Sequence, residues 1–208
     1  WDDYDRFKQR ERALLERLLL RPEYADTYKR LLHEYQYGDT FAINVGDALL
    51  GEGYRILSQS NNPELVRLIA QAHMKLCKGQ GAELVWCASP TPVTMDFVID
   101  VFRHKTVPAF EVALLLGLSC TNNFRHLERM LKDYSYALGI AYQLKDDRED
   151  YNDATPIMLR PSAVLARLCE MPGKDTLVQE LLASEDMKQV LLKSEYQPLL
   201  QQALFDIK

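Results

Sequence analysis

Apolar residues recur at helical spacing along the chain. Near its start, Leu14, Leu15, Leu18 and Leu19 mark one face of a helix, because residues three or four apart lie on the same side of an α-helix. Pro22 has no backbone N–H and is expected to separate this helix from the next one. The pattern therefore predicts two helices in this region.

The same periodicity continues through the rest of the chain. It predicts helices at residues 40–60, 64–86, about 92–118 and about 124–150, then two or three shorter ones within 161–208. Breaks in that last part are expected at Pro172–Gly173 and at Pro198. No alternation of apolar and polar residues is long enough to predict a strand. The predicted fold class is therefore all-α.

Length and charge limit the kinds of protein that fit. A chain of 208 residues can bury a sizeable core, so we expect a single domain over residues 1–208. Its net charge of -5 argues against a nucleic-acid partner, because a phosphate backbone requires a basic face. No window approaches about 18 uninterrupted apolar residues, so no membrane span is predicted. The start of the chain has no signal-peptide pattern, and we expect a cytoplasmic protein.

Three carboxylates crowd the end of the predicted helix at residues 124–150, in the stretch YQLKDDRED. At about 100° per residue, Asp146 and Asp150 share a face with Gln143, and Asp147 borders that face. Like charges one turn apart weaken a helix by about 0.2–0.5 kcal/mol per pair. A solvated acidic patch is one interpretation. The other is a site for Mg²⁺, whose ligands are carboxylate, water and phosphate oxygens.

A second candidate feature is the stretch FRHKTVPAFEVALLLG, residues 102–117. Lys105 and Thr106 precede Pro108 in an otherwise apolar helix, and a proline inside a helix bends its axis. A bent helix that carries a lysine and a hydroxyl can bind an anion such as diphosphate. Taken alone, a surface lysine on an amphipathic helix is the simpler interpretation.

Together these stretches resemble the trans-isoprenyl diphosphate synthase family, the polyprenyl synthetases. The sequence YQLKDDRED is similar to the family's second aspartate-rich motif, with Tyr142 in place of phenylalanine. The stretch KTVPAFEVALLLG resembles its KT motif. AINVGDALL, residues 42–50, and GQGAEL, residues 79–84, resemble two further motifs in the same order.

The resemblance implies an all-α isoprenoid-synthase helical bundle around a central cavity. It also implies condensation of isopentenyl diphosphate with an allylic prenyl diphosphate, with Mg²⁺ as cofactor, in a homodimer. The expected roles are metal ligands and residues that hold the allylic diphosphate or steady the developing carbocation. The metal ligands are Asp146, Asp147 and Asp150, and the substrate-binding and catalytic residues are Lys105, Thr106 and Gln143.

The sequence departs from the family pattern at two places. The family's first DDxxD motif is missing, and Asp2–Asp5, DDYD, does not have that form. The family's lysine-containing loop after Asp150 is missing as well. We therefore expect loop segments to be lacking near residues 33–34 and 152–153, with the chain broken in space at both.

Three functions remain open from the sequence. The first and preferred one is an active prenyltransferase whose first motif lies in residues that the printed sequence lacks. The second is a non-catalytic homologue that acts as a subunit or binder. The third is an enzyme similar to a terpene synthase, which ionises one diphosphate without joining two. Product chain length is not readable from these residues.

Overall fold

The structure is a computed structural model that describes residues 39–119, 121, 124–151, 156–184 and 186–207. Within these ranges it contains nine α-helices and no strand, which agrees with the predicted all-α class. The helices, numbered α1 to α9 in chain order, are Asp39–Ser58, Pro63–Ala88, Met95–Lys105, Val107–Ser119, Phe124–Glu149, Ala163–Glu170, Asp175–Leu182, Met187–Leu191 and Gln197–Asp206.

Three details of the helix prediction were wrong. Residues 161–208 form four helices, α6 to α9, where two or three were expected. The single helix expected at about residues 92–118 is two helices, α3 and α4, which are separated at Thr106. Pro198 does not break a helix but lies in the first turn of α9, where a missing N–H breaks no intrahelical hydrogen bond. The expected break at Pro172–Gly173 does separate α6 from α7, and Gly173 has a φ of 68°.

The chain divides into two compact units, residues 1–66 and 67–208. In the described part of the first unit, α1 ends in a short turn that leads into α2. Asn61 in this turn has a φ of 53°, and the Asn62 side chain accepts a hydrogen bond from the Glu64 N–H at 3.1 Å. The two asparagines therefore form the turn that opens α2. A single domain over residues 1–208 stays a prediction.

The second unit has its core around α6, whose residues are almost all buried. Ala163, Leu165 and Leu168 have no solvent exposure. They pack in one apolar cluster with side chains of other helices, among them Phe102 of α3 and Leu181 of α7. Ser162 caps the N-terminus of α6 by accepting a hydrogen bond from the Leu165 N–H at 3.2 Å. This core fixes the segment that runs into α6.

Two glycines let α2 and α5 approach the junction between α3 and α4. A Cβ atom added to Gly79 of α2 would lie 2.5 Å from the carbonyl carbon of His104 and 2.8 Å from the Cα of Lys105. One added to Gly139 of α5 would lie 2.9 Å from the Cα of Val107. Real Cβ atoms do not come so close to backbone atoms, so only glycine fits at either position. The junction is therefore held between two helix backbones.

None of the described helices is long and apolar enough to cross a membrane.

The close approach at Gly79 gives a stability prediction. Gly79→Ala should lower the free energy of unfolding by about 1–3 kcal/mol, because the added methyl group forces backbone atoms apart. Gly81→Ala is the matched control on the same helix, since nothing lies within 4 Å of a Cβ atom there. It should stabilise by about 0.5–1 kcal/mol through helix propensity. Urea unfolding of both variants measures the difference, and equal effects would contradict the packing described.

Candidate active site

The junction between α3 and α4 presents Lys105 and Thr106 side by side. Thr106 leaves helical geometry with φ −121° and ψ −46°, while its N–H still donates to the Phe102 carbonyl at 2.9 Å. Pro108 follows in the first turn of α4, where its missing N–H breaks no bond. Helix α3 therefore ends and α4 begins around Lys105, Thr106 and Pro108, the residues that the sequence analysis identified.

Lys105 forms an ion pair with a residue of α2. Its Nζ donates to both carboxylate oxygens of Glu83 at 2.7 Å. The Lys105 side chain keeps 27% exposure and that of Glu83 keeps 13%. A lysine ammonium carries three N–H donors, so Glu83 orients Lys105 while one donor remains for an anion.

Thr106 connects the junction to α5. Its Oγ1 donates to Gln143 Oε1 at 2.8 Å, and Gln143 Nε2 lies 3.4 Å from Asp146 Oδ2. Gln143 is only 8% exposed. The helices that carry Lys105 and Gln143 are therefore packed neighbours, and a chain of polar groups runs from the junction to the acidic face.

Asp147 is placed differently from the other two aspartates of the motif. It is 2% exposed, and both of its oxygens accept hydrogen bonds. Oδ2 accepts from the Ala163 N–H at 2.6 Å and Oδ1 accepts from Arg160 at 3.2 Å. Burial raises the pKa of Asp147 to about 6, against the charge of Arg160 and the Ala163 N–H, which lower it. This carboxylate thus binds the segment before α6.

Arg160 joins two of the three aspartates. Its guanidinium donates to Asp147 and, through a short contact, to Asp150. Burial acts to lower the pKa of Arg160, but the carboxylates of Asp147, Asp150, Asp146 and Glu83 outweigh it, so the pKa lies above its usual value. Arg160 is therefore a permanent cation between the carboxylates of α5.

The donor set fits a divalent cation only in part. Asp146 and Asp150 supply hard oxygen ligands from one helix face, whereas Asp147 has both oxygens occupied. Within the described ranges, no three His, Cys, Asp or Glu side chains converge as a ready metal site.

Two partners in this cluster were not assigned from the sequence. Glu83 lies in the stretch GQGAEL but was not among the predicted site residues. Arg160 was not identified, although it is a lone basic residue in the otherwise apolar stretch PIMLRPSAVLA, residues 156–166. The predicted chain breaks near residues 33–34 and 152–153, and the DDYD stretch at the start, lie outside the described residues.

Asp147 gives a prediction for the dependence of stability on pH. The pKa of Asp147 is raised from about 3.9 in the unfolded chain to about 6 in the folded protein. Protonation of Asp147 therefore stabilises the folded state below pH 4, and this stabilisation is lost as the pH rises through 6. The free energy of unfolding of the wild type, minus that of Asp147→Asn, should fall by about 2 kcal/mol from pH 4 to 7.

Urea unfolding of both proteins in a metal chelator measures this difference. Carboxylates distant from Asp147 titrate alike in both proteins, so their contributions cancel. A difference that instead rises with pH would mean that Arg160 holds the pKa of Asp147 below its usual value.

Known proteins resemble this chain in amino-acid sequence. A family model described as polyprenyl synthetase matches residues 29–161. The farnesyl diphosphate synthase of Haemophilus influenzae is 30% identical over 122 residues, which are 54% of this chain and 41% of that protein. The octaprenyl diphosphate synthase of the same organism is 27% identical over 120 residues, 58% of this chain and 36% of that protein. The chain therefore spans about two fifths of the length of these relatives.

Solved structures share the fold. A polyprenyl synthetase from Streptomyces coelicolor A3(2) superimposes with a TM-score of 0.66 at 20% identity, over 82% of this chain and 55% of that one. A decaprenyl diphosphate synthase from Rhodobacter capsulatus gives a TM-score of 0.63 at 19% identity, over 84% of this chain and 59% of that one. The predicted isoprenoid-synthase fold class is confirmed. Because the family model covers more than half of its residues, the chain belongs to the polyprenyl synthetase family.

Proposed function

We propose that this protein is a trans-prenyltransferase. It joins isopentenyl diphosphate to an allylic prenyl diphosphate and releases a longer polyprenyl diphosphate, in a reaction that depends on Mg²⁺. Membership of the polyprenyl synthetase family supports this reaction class. The observation that carries the proposal is the Thr106–Gln143 hydrogen bond of 2.8 Å, which brings the lysine junction to the acidic face of α5.

The residues of the cluster have distinct roles in this reaction. Lys105, oriented by Glu83, binds oxygens of the allylic diphosphate and stabilises the charge that develops as the C–O bond ionises. Thr106 and Gln143 hold their side chains in a fixed relation to Lys105 and steady the developing carbocation. No protein nucleophile is needed, because the double bond of isopentenyl diphosphate attacks the allylic cation. The new carbocation then loses a proton to the departing diphosphate, which restores a double bond in the product.

The proposed position of the Mg²⁺ ion is beside the acidic face of α5. Asp146 and Asp150 are the residues that would hold Mg²⁺, which would neutralise the departing diphosphate. The chain itself supplies the remaining positive charge through Lys105 and Arg160. We also propose a homodimer as the assembly, which size-exclusion chromatography with light scattering tests.

A second candidate function is a non-catalytic subunit or binder of prenyl diphosphates. One observation favours it: apart from Asp146–Asp150, the 208 residues contain no DDxxD sequence. Such a protein would keep the diphosphate contacts of Lys105 but lack the second group of carboxylates that the family uses.

Diphosphate affinity tests the role of Lys105. Lys105→Ala should weaken binding of inorganic diphosphate with Mg²⁺ by about 10- to 150-fold, the loss of one charge-assisted hydrogen bond worth about 1.5–3 kcal/mol. Lys132→Ala removes an exposed lysine from α5 and is the control. Titration calorimetry should find its affinity within about twofold of the wild type. Equal diphosphate affinity in Lys105→Ala and Lys132→Ala would show that Lys105 does not bind the diphosphate.

The reaction itself is tested by incubating the full chain with Mg²⁺, isopentenyl diphosphate and labelled farnesyl diphosphate. Longer labelled diphosphates are expected, and Asp146→Ala should abolish them while leaving the helical circular dichroism signal unchanged. Asp133→Ala, an exposed aspartate on the same helix, should retain activity. A labelled hydrocarbon would indicate an enzyme similar to a terpene synthase, and bound but unchanged substrate would support the non-catalytic candidate.

A further inference from the structure

We propose that Arg160 is a built-in cation of the acidic motif, and that Asp147 is a positioning residue rather than a metal ligand. Arg160 and Asp147 together lock the C-terminal end of α5 to the segment before α6, and Arg160 competes with a divalent cation for Asp150. The proposal rests on the proposed function only in assuming that a divalent cation binds beside the motif.

The contacts of Asp147 are those of a structural anchor. Its side chain is 1% exposed, and the Ala163 N–H that it binds belongs to the first turn of α6, where backbone donors have no intrahelical acceptor. Its other oxygen is bound by Arg160. To bind a metal, Asp147 would have to release a buried backbone donor, and an unsatisfied buried N–H is unfavourable.

Arg160 is held in place from several sides. The segment before α6 is fixed to α8 because Asp186 accepts a hydrogen bond from the Ile157 N–H at 2.9 Å, and the Met187 N–H donates to the Ile157 carbonyl at 2.9 Å. Lys188 of α8 also donates to the Asp150 carbonyl at 3.1 Å. Tertiary packing of its segment therefore holds the Arg160 guanidinium against the motif, and it is not a mobile surface group.

The position of Arg160 sets up a competition at Asp150. The Asp150 side chain is 26% exposed, so a cation from solvent can reach it, but its carboxylate already accepts from Arg160. A divalent cation bound there would also lie close to the positive charge of Arg160, and the two would repel each other. The charge of Arg160 should thus weaken cation binding in the absence of diphosphate.

Titration of Mn²⁺ against the full chain, followed by the electron paramagnetic resonance signal of free Mn²⁺, tests this competition without substrate. Arg160→Gln alone leaves Asp147 as a buried carboxylate without its partner, which can unfold the protein. The decisive variant is therefore the double substitution Arg160→Gln with Asp147→Asn, which removes both charges. It should bind Mn²⁺ at least about tenfold more tightly than the single variant Asp147→Asn, from which it differs only by the charge of Arg160.

Two further variants complete the test. Asp147→Asn alone should weaken Mn²⁺ binding by about threefold at most, since it removes a nearby charge but no metal ligand. Lys145→Gln removes a charge from the exposed side of α5 and should have an equally small effect.

The alternative role of Asp147 as a ligand gives opposite results. Both the single Asp147→Asn variant and the double variant would then bind Mn²⁺ at least about tenfold more weakly. That result would overturn the proposal, and so would a double variant that binds Mn²⁺ no more tightly than Asp147→Asn does. Because the readout is metal binding, it is independent of whether the protein elongates prenyl chains.

Discussion

The backbones of α2 and α5 lie against the junction of α3 and α4 so closely that no side chain fits at position 79 or 139. This approach determines the rest of the site. It brings Glu83 within reach of Lys105 and Gln143 within reach of Thr106. Long side chains could span a wider gap, but a 2.8 Å hydrogen bond from the short threonine hydroxyl requires close backbones. The polar cluster is therefore a consequence of apolar helix packing.

The charges of the cluster are arranged so that each buried ion has a partner. Glu83 is paired with Lys105, while Asp147 and Asp150 share Arg160. Burying a carboxylate without such a partner is strongly unfavourable. Under the proposed function, this cluster binds a divalent cation and, through that cation and Lys105, a diphosphate.

The sequence predicted the features that depend on local pattern. Helical periodicity placed the acidic face of α5, and the family motifs singled out Lys105, Thr106 and Gln143. Pro108 marked the junction, although the pattern predicted a bend where the chain has two helices. Features that depend on long-range packing were not predicted. The place of Arg160 is set by hydrogen bonds of its segment to α8, and no local pattern shows where such a segment folds back.

The central claim is that one preassembled cluster binds a cation and a diphosphate together. The most direct test is a crystal structure of the protein with Mn²⁺ and inorganic diphosphate, with the metal located by its anomalous scattering. The account predicts an Mn²⁺ peak bonded to Asp146, diphosphate oxygens on Lys105, and Asp147 still bonded to the Ala163 N–H. A peak bonded to Asp147, or diphosphate bound away from Lys105, would contradict the account.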